Sequence, residues 1–313
     1  MNLRNNSYFC FLKILKKKKE MNSTKPIPSS ELIINDDGSV FHLHILPEDL
    51  ADNVILMGDP DRVSAVGNLF DTIEIDKRSR EFHTITGTYR GKRVTALSHG
   101  IGTDNIDIVI TELDALANID FKTRIPKAEH RRLSLMRIGT CGAVQPDIPL
   151  GSYILSHISI GMDSVLNWYA DGGKIFLSDF EEAFVQHMDW PARLGRPYFV
   201  RASDALIKKI SPWTIKGMTI SAPGFYGPQG RSVRLKLTIP DLVSKLESFS
   251  YEGYRVTNIE MESSTLAGMA ALLGHDAATV CLAIANRHAK ESNPDYKPLM
   301  KQLLIRVLDT LTA

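Results

Sequence analysis

An α/β fold with a mainly parallel or mixed sheet is what this chain predicts. Two observations carry the prediction. Short, continuous apolar runs of the kind that form strands buried on both faces recur along the chain. Between them lie longer segments whose apolar residues repeat with helical period. Size agrees: 313 residues, 43% hydrophobic and 23% charged, suit one large α/β domain or two small ones and exclude general disorder.

Val54 to Met57 is the first apolar run, ended by Gly58. Asp59 and Pro60 then start a helix as N-cap and first helical residue, with Val63, Val66 and Phe70 as its apolar stripe. Residues 81–89 and 93–98 read as two strands joined by a tight turn near Arg90-Gly91. Gly100-Ile101-Gly102 leads into a helix carrying Ile106, Ile110, Leu113 and Leu116. Residues 122–134 are polar and basic and read as a surface insertion. Leu133 to Ile138 is another strand, followed by a small-residue turn, Gly139 to Gly142. Residues 152–160, 217–221 and 277–285 are further strands, and 264–273 and 298–311 are helices. The last helix gathers Leu299, Leu303, Leu304, Val307, Leu308 and Leu311 on one broad face.

Residues 1–30 read as an N-terminal extension and 31–313 as a single domain. The stretch Tyr8 to Leu15 is broken by Lys13, too short for a membrane span, and the basic run Lys16 to Lys19 follows it in the wrong order for a signal peptide. It reads as a disordered tail, or as sequence upstream of a natural start at Met21. Lys plus Arg number 37 against 36 Asp plus Glu, so no global field attracts nucleic acid, and no membrane partner is expected. Cys10, Cys141 and Cys281 have neither metal-ligand spacing nor a disulfide framework, which predicts a reduced compartment, the cytoplasm.

Four constellations bear chemistry. The first is Gly58-Asp59-Pro60-Asp61-Arg62, a glycine-ended strand feeding a helix. It can offer backbone N–H groups to an anion, or be a plain capped turn. The second is Arg137-Ile138-Gly139-Thr140-Cys141-Gly142. A guanidinium fork, a hydroxyl and bare amides suit a phosphate; the alternative is a glycine bend with a surface ion pair. Cys141 packs as a small apolar residue. The third is Glu260-Met261-Glu262. If extended, both carboxylates share one side and can accept the hydrogen bonds of a ribose diol; alternatively they are the acidic first turn of the next helix. No histidine lies at metal-ligand spacing beside them. The fourth is Gln229-Gly230-Arg231 after Phe225-Tyr226. An amide and a guanidinium can read an imide edge while an aromatic ring stacks on a flat base; the alternative is a solvated loop.

In this order the chain resembles the nucleoside phosphorylase-I family, and within it the uridine phosphorylases. The matching stretches are VFHL (40–43), GDPDRV (58–63), SREF (79–82), GIG (100–102), RIGTCGAVQP (137–146), PQGR (228–231), NIEMES (258–263) and ANR (285–287). The resemblance implies a three-layer α/β/α sandwich around a distorted mixed β-barrel. It implies reversible cleavage of a nucleoside by inorganic phosphate, a co-substrate, with no cofactor. It places Gly58, Arg62, Arg137 and Thr140 on the phosphate, joined by Arg80 from a neighbouring subunit. His42 would reach the ribose 5′-hydroxyl across the same interface, so a homo-oligomer of at least a dimer with shared sites is implied. Glu262 and Thr140 would meet the ribose, with Met261 beneath it and Glu260 in support. Gln229 and Arg231 would read a pyrimidine edge, with Phe225, Ile284, Ala285 and Arg287 around the base. Catalytic weight then falls on Arg231, Gln229, Arg137 and Glu262.

Two details bear on the implied substrate and point towards uracil, Asn286 and the Gln-x-Arg pair of Gln229 and Arg231. Purine-cleaving relatives of the hexameric type carry an aspartate where Asn286 stands, and an amide cannot protonate a purine N7. The loop GFYGPQGRSVRLKL lacks the tyrosine-containing tail common in bacterial relatives. Some relatives bind a monovalent cation through a glutamate equivalent to Glu81; Asn105 stands where a serine helps there, and no metal is assigned. A purine phosphorylase and a nucleosidase on the same fold are the nearest alternatives. A nucleoside sensor without catalysis, or a peripheral membrane protein resting on residues 1–20, are the more distant ones.

Overall fold

Alternation along one strand accounts for the layering. In β1 (Asn53–Met57), Val54 and Leu56 enter one hydrophobic core while Ile55 and Met57 enter another on the opposite face. The first core is covered by α2 (Thr103–Asn118), through Ile106, Val109, Ile110 and Leu113, and by α6 (Ser263–Leu273). The second is covered by α1 (Pro60–Gly67), through Val63 and Val66, and by α7 (Lys297–Thr312), through Leu303, Leu304, Val307, Leu308 and Leu311. Helices thus sit on both faces of the sheet. The computed structural model describes residues 25–313, so the reading of residues 1–21, Cys10 included, lies outside the described residues.

The sheet begins with the antiparallel set β2 (Thr72–Ser79), β3 (Phe82–Tyr89) and β4 (Lys92–Ser98), and continues through β1, which runs parallel to β4 and to β7 (Ser134–Ala143). A separate small ladder pairs β5 (Ile119–Asp120) with β6 (Ile125–Pro126). Beyond β7 come β13 (Asp276–Asn286), β8 (Tyr153–Gly161), β10 (Ile215–Ser221) and β12 (Tyr254–Glu260). The end of β12 pairs back onto β7, Asn258 with Ala143 and Ile259 with Gly142. That pairing closes β7, β13, β8, β10 and β12 into a five-stranded barrel. Short additions complete the chain: β9 (Tyr198–Arg201) on β8, β11 (Ser250–Tyr251) on β12 and β14 (Glu291–Ser292) on β13. A third core, with Phe184, Phe199, Met218 and Ile220, is covered by α3 (Ser178–Met188) and α5 (Leu242–Ser248); α4 (Asp204–Ile210) packs beside α7. Among the described residues no helix is long and apolar enough to cross a membrane.

Several sequence expectations change. Gly139 to Gly142 is not a turn: β7 runs through it, because β13 pairs along its whole length. The glycines answer a different need. A Cβ on Gly139 would stand 2.6 Å from Arg137 Nη1, and one on Gly142 3.1 Å from the Arg287 chain. Arg137 is therefore inside a strand, not at its end. Phe70 lies beyond α1, whose last turn closes when Asn68 N–H donates to Ser64 O. The basic segment 122–134 is not merely a solvated face. Arg124 Nε donates to Ile27 O at 2.6 Å, Arg131 binds Asp52 at 2.7 Å, and Arg132 binds Asp276 at 2.7 Å. The polar edge strand β2 and the short β9, α4 and α5 carry too little periodicity to be read. α3 does carry it, as Phe180, Phe184 and Met188, but is absent from the sequence reading.

Candidate active site

Strand ends on one side of the barrel open into a cavity of about 1370 Å³. Gly58 closes β1 at its floor, where a Cβ would press to 3.0 Å from Gly100 O. Asp59 caps α1 by accepting the Asp61 N–H at 2.9 Å, and Pro60 occupies the first helical position, as the sequence predicts. This start turns Arg62 into the cavity, its charge held with little water and its pKa lowered chiefly by burial. Thr140 reaches the same space from β7.

Arg137 is the centre of the site. Its guanidinium is buried, and Nη1 lies 2.8 Å from Glu260 Oε2 while Nη2 donates to Glu262 Oε2. Its Nε donates to His99 Nε2 at 3.2 Å. Burial works against the charge, but the carboxylates of Glu262 and then Glu260 outweigh it, so the arginine pKa is raised. The Glu262 pKa is raised as well: burial raises it, Arg137 opposes this, and Glu260 adds to it. The two acids divide their work. Glu260, at the end of β12, accepts the N–H groups of Glu262 and Ser263 at 3.0 Å and the Ser221 hydroxyl at 2.6 Å. It thus caps α6. Glu262 accepts the Gly102 N–H at 2.8 Å and lines the cavity with Met261. Neither acid falls in the first turn of α6: Glu262 is its N-cap, and Glu260 supports that start from the end of β12.

Across the cavity, the 3₁₀ turn Gly227–Gln229 follows β10 and buries Gln229. Arg231 Nη1 donates to Gln229 Oε1 at 2.5 Å and to Phe225 O at 2.7 Å, and its guanidinium lies 3.9 Å over the Phe225 ring. Burial first, then the charge of nearby Arg287, pushes the Arg231 pKa down to about 10, which leaves it charged at neutral pH. Ile284, Ala285 and Arg287 form the wall at the end of β13. Asn286 turns away from base chemistry. Its amide donates to Gln145 O at 3.1 Å and Ile148 O at 3.0 Å, and its oxygen accepts the N–H groups of His288 and Ala289.

The structure does not bring Arg80 and His42 to this chain's own cavity. They sit together elsewhere on the surface: the Arg80 guanidinium lies 5.5 Å over Phe41, whose ring is 4.7 Å from His42. His42 Nδ1 contacts Glu112 Oε1 at 2.6 Å. Cys141 lines the cavity, but burial raises its thiol pKa well above the usual value, which disfavours the thiolate that nucleophilic attack needs. His99 is absent from the sequence reading. Strand pairing places it: Met57 registers with Ser98 on one side and Ile138 on the other, so the residues flanking β1 meet above it.

A second polar group, Asp114, His130 and His275, has the compactness of a metal site. Its hydrogen bonds point elsewhere. The Leu133 N–H donates to His275 Nδ1 at 3.1 Å, which puts the proton on Nε2, and Nε2 donates to Asp114 at 3.1 Å. His130 Nε2 is bonded to Leu273 O at 2.9 Å.

Barrel, sandwich and site together define an enzyme of the nucleoside phosphorylase class. The chain belongs to the Phosphorylase superfamily, whose model matches residues 52–311. It is 31% identical over 258 residues to the uridine phosphorylase of Escherichia coli, covering 80% of this chain and 88% of that one. It is 26% identical over 228 residues to a DeoD-type purine nucleoside phosphorylase of Vibrio cholerae, covering 67% and 90%. Among solved structures it superposes on a Trypanosoma brucei nucleoside phosphorylase, described as showing uridine phosphorylase activity, with a TM-score of 0.82 and 29% identity, covering 90% and 99%.

Proposed function

We propose that this chain is a uridine phosphorylase: uridine and inorganic phosphate exchange reversibly with uracil and ribose 1-phosphate. The observation that carries the reading is the Gln229–Arg231 pair facing, across one cavity, the arginine that Glu260 and Glu262 hold. Gln229 and Arg231 present the donors and acceptor that match an imide edge.

Arg62, Arg137, Thr140 and the amides around Gly58 cradle the phosphate. A phosphate oxygen attacks C1′ as the C1′–N1 bond breaks, and that bond's electron pair leaves with uracil. The sugar becomes cationic in the transition state and lies above the phosphate dianion. The departing base becomes anionic and is met by Arg231, with Arg287 nearby, a preorganised electrostatic site. Uracil takes a proton from water afterwards. Glu262 orients the ribose hydroxyls. Asn286 cannot serve as a purine acid, because both its N–H bonds are spent on backbone carbonyls.

The Arg80–Phe41–His42 patch supports a homo-oligomer in which each chain lends these residues to its neighbour's site. Placement in pyrimidine salvage and in the cytoplasm follows from the same reading. The deciding assay supplies uridine or inosine with and without phosphate and follows free base. Uracil should appear only with phosphate, matched by ribose 1-phosphate. Equal release without phosphate would make this a nucleosidase, and a preference for inosine would make it a purine enzyme.

A further inference from the structure

Arg137 spends its N–H groups on three kinds of partner. Nη1 and Nη2 go to Glu260 and Glu262, with Nη1 also 3.7 Å from Cys281 Sγ, and Nε goes to His99. The carboxylates hold the end of the fork that must face substrate. His99 alone holds the Nε side. Its side chain is fully buried, and its Cε1 stands 3.8 Å from where a Cβ on Gly58 would be, so it is wedged between the glycine floor and the arginine. Accepting from Arg137 at Nε2 puts the imidazole proton on Nδ1, which is buried with no hydrogen-bond partner. A buried unpaired polar atom is costly, and native structures retain few of them.

We propose that His99 is a positioning residue: its Nε2 lone pair holds the guanidinium plane of Arg137, so that the Nη groups can turn from carboxylate to phosphate oxygens without losing the fork's orientation. The proposal rests on the assignment of Arg137 to the phosphate cradle. An acceptor at that spot, and not merely a side chain of the right bulk, is what the arrangement requires.

The test compares His99→Leu, His99→Asn and His99→Gln by steady-state kinetics and by calorimetric titration with inorganic phosphate. Gln carries its oxygen near the place of Nε2, while Asn is too short and Leu has no acceptor. Leu and Asn should raise the KM and Kd for phosphate about ten-fold, the loss of one hydrogen bond to a charged group, and change the uridine KM less than about two-fold. Gln should return phosphate affinity to within about three-fold of wild type. If circular dichroism shows His99→Leu unfolded, the Gln and Asn pair decides alone. Wild-type phosphate affinity in His99→Asn, or equal damage in Gln and Asn, overturns the proposal. Arg137→Lys is run alongside. If its phosphate affinity is unchanged, the cradle assignment itself fails; if it falls while His99→Asn stays wild type, only the role of His99 fails.

Discussion

Arg137 Nη1 and Glu260 Oε2 meet at 2.8 Å with side chains only 5% and 1% exposed, and the same guanidinium also binds Glu262. One buried cation therefore serves two buried carboxylates. Removing it leaves both acids unpaired in a low-dielectric site, which costs about 3–5 kcal/mol where one partner of a buried pair is lost. Arg137→Ala should lower the urea midpoint clearly as well as weaken phosphate use and turnover. A variant with wild-type stability would show that water already screens the pair.

Arg231 is stacked on Phe225, tied to Gln229 and lines the cavity, where the proposed function sets it against the departing base. Loss of one preorganised donor to a developing anion typically costs ~2.7–4 kcal/mol, so Arg231→Ala should cut kcat on uridine roughly 100-fold or more. Stopped assays of uracil release measure this. Unchanged turnover would remove Arg231 from catalysis.

Arg80 is exposed and does not line its own chain's cavity. Arg80→Ala and Arg231→Ala should each be inactive, yet a refolded equal mixture should recover activity. In a two-fold dimer half the molecules are mixed and one of their two sites is intact, so about a quarter of wild-type activity is expected. No recovery would mean that Arg80 acts within its own chain.

Asn286 is a backbone clamp. Asn286→Asp would set a carboxylate oxygen against the carbonyls of Gln145 and Ile148 in place of two donors. It should lose about 1–3 kcal/mol of stability and gain no activity on inosine. An aspartate variant that is stable and cleaves inosine would refute the clamp.

His99 also makes a pH prediction. Burial, then the charges of Arg137 and Arg62, holds its pKa well below 6.5. A depressed folded value means that the unfolded chain binds the extra proton. This contribution to stability is full above pH 6.5 and is lost as pH falls toward the folded value. Urea midpoints at pH 7.5 and 5.5 should therefore fall more for the wild type than for His99→Gln. Equal slopes would mean that His99 takes up its proton as readily in the folded protein as in the unfolded chain.

Much of this was legible locally. The Asp59 cap and Pro60 start, the tight turn at Arg90 and Gly91, and the stripe of α7 all follow from rules that act within a few residues. The site was legible as ordered motifs, and the cavity gathers Gly58, Arg62, Arg137, Thr140, Glu262, Gln229 and Arg231. The continuation of β7 through its glycines was not legible, since Gly139 and Gly142 three residues apart read as a turn until arginine side chains are seen to occupy the space of the missing Cβ atoms. Nor was the division of labour between Glu260 and Glu262, which depends on where β12 stops and α6 begins.

By itself the sequence determined the alternating α/β order, the apolar faces and the residue types that line the cavity, because short-range sterics and hydrophobic period act along the chain. Only the tertiary structure decided that His99 would meet Arg137, 38 residues on, and that Glu262 would meet it across 125. Those contacts depend on strand order and register, which pair segments far apart in the chain, and no local preference encodes which edge lies beside which.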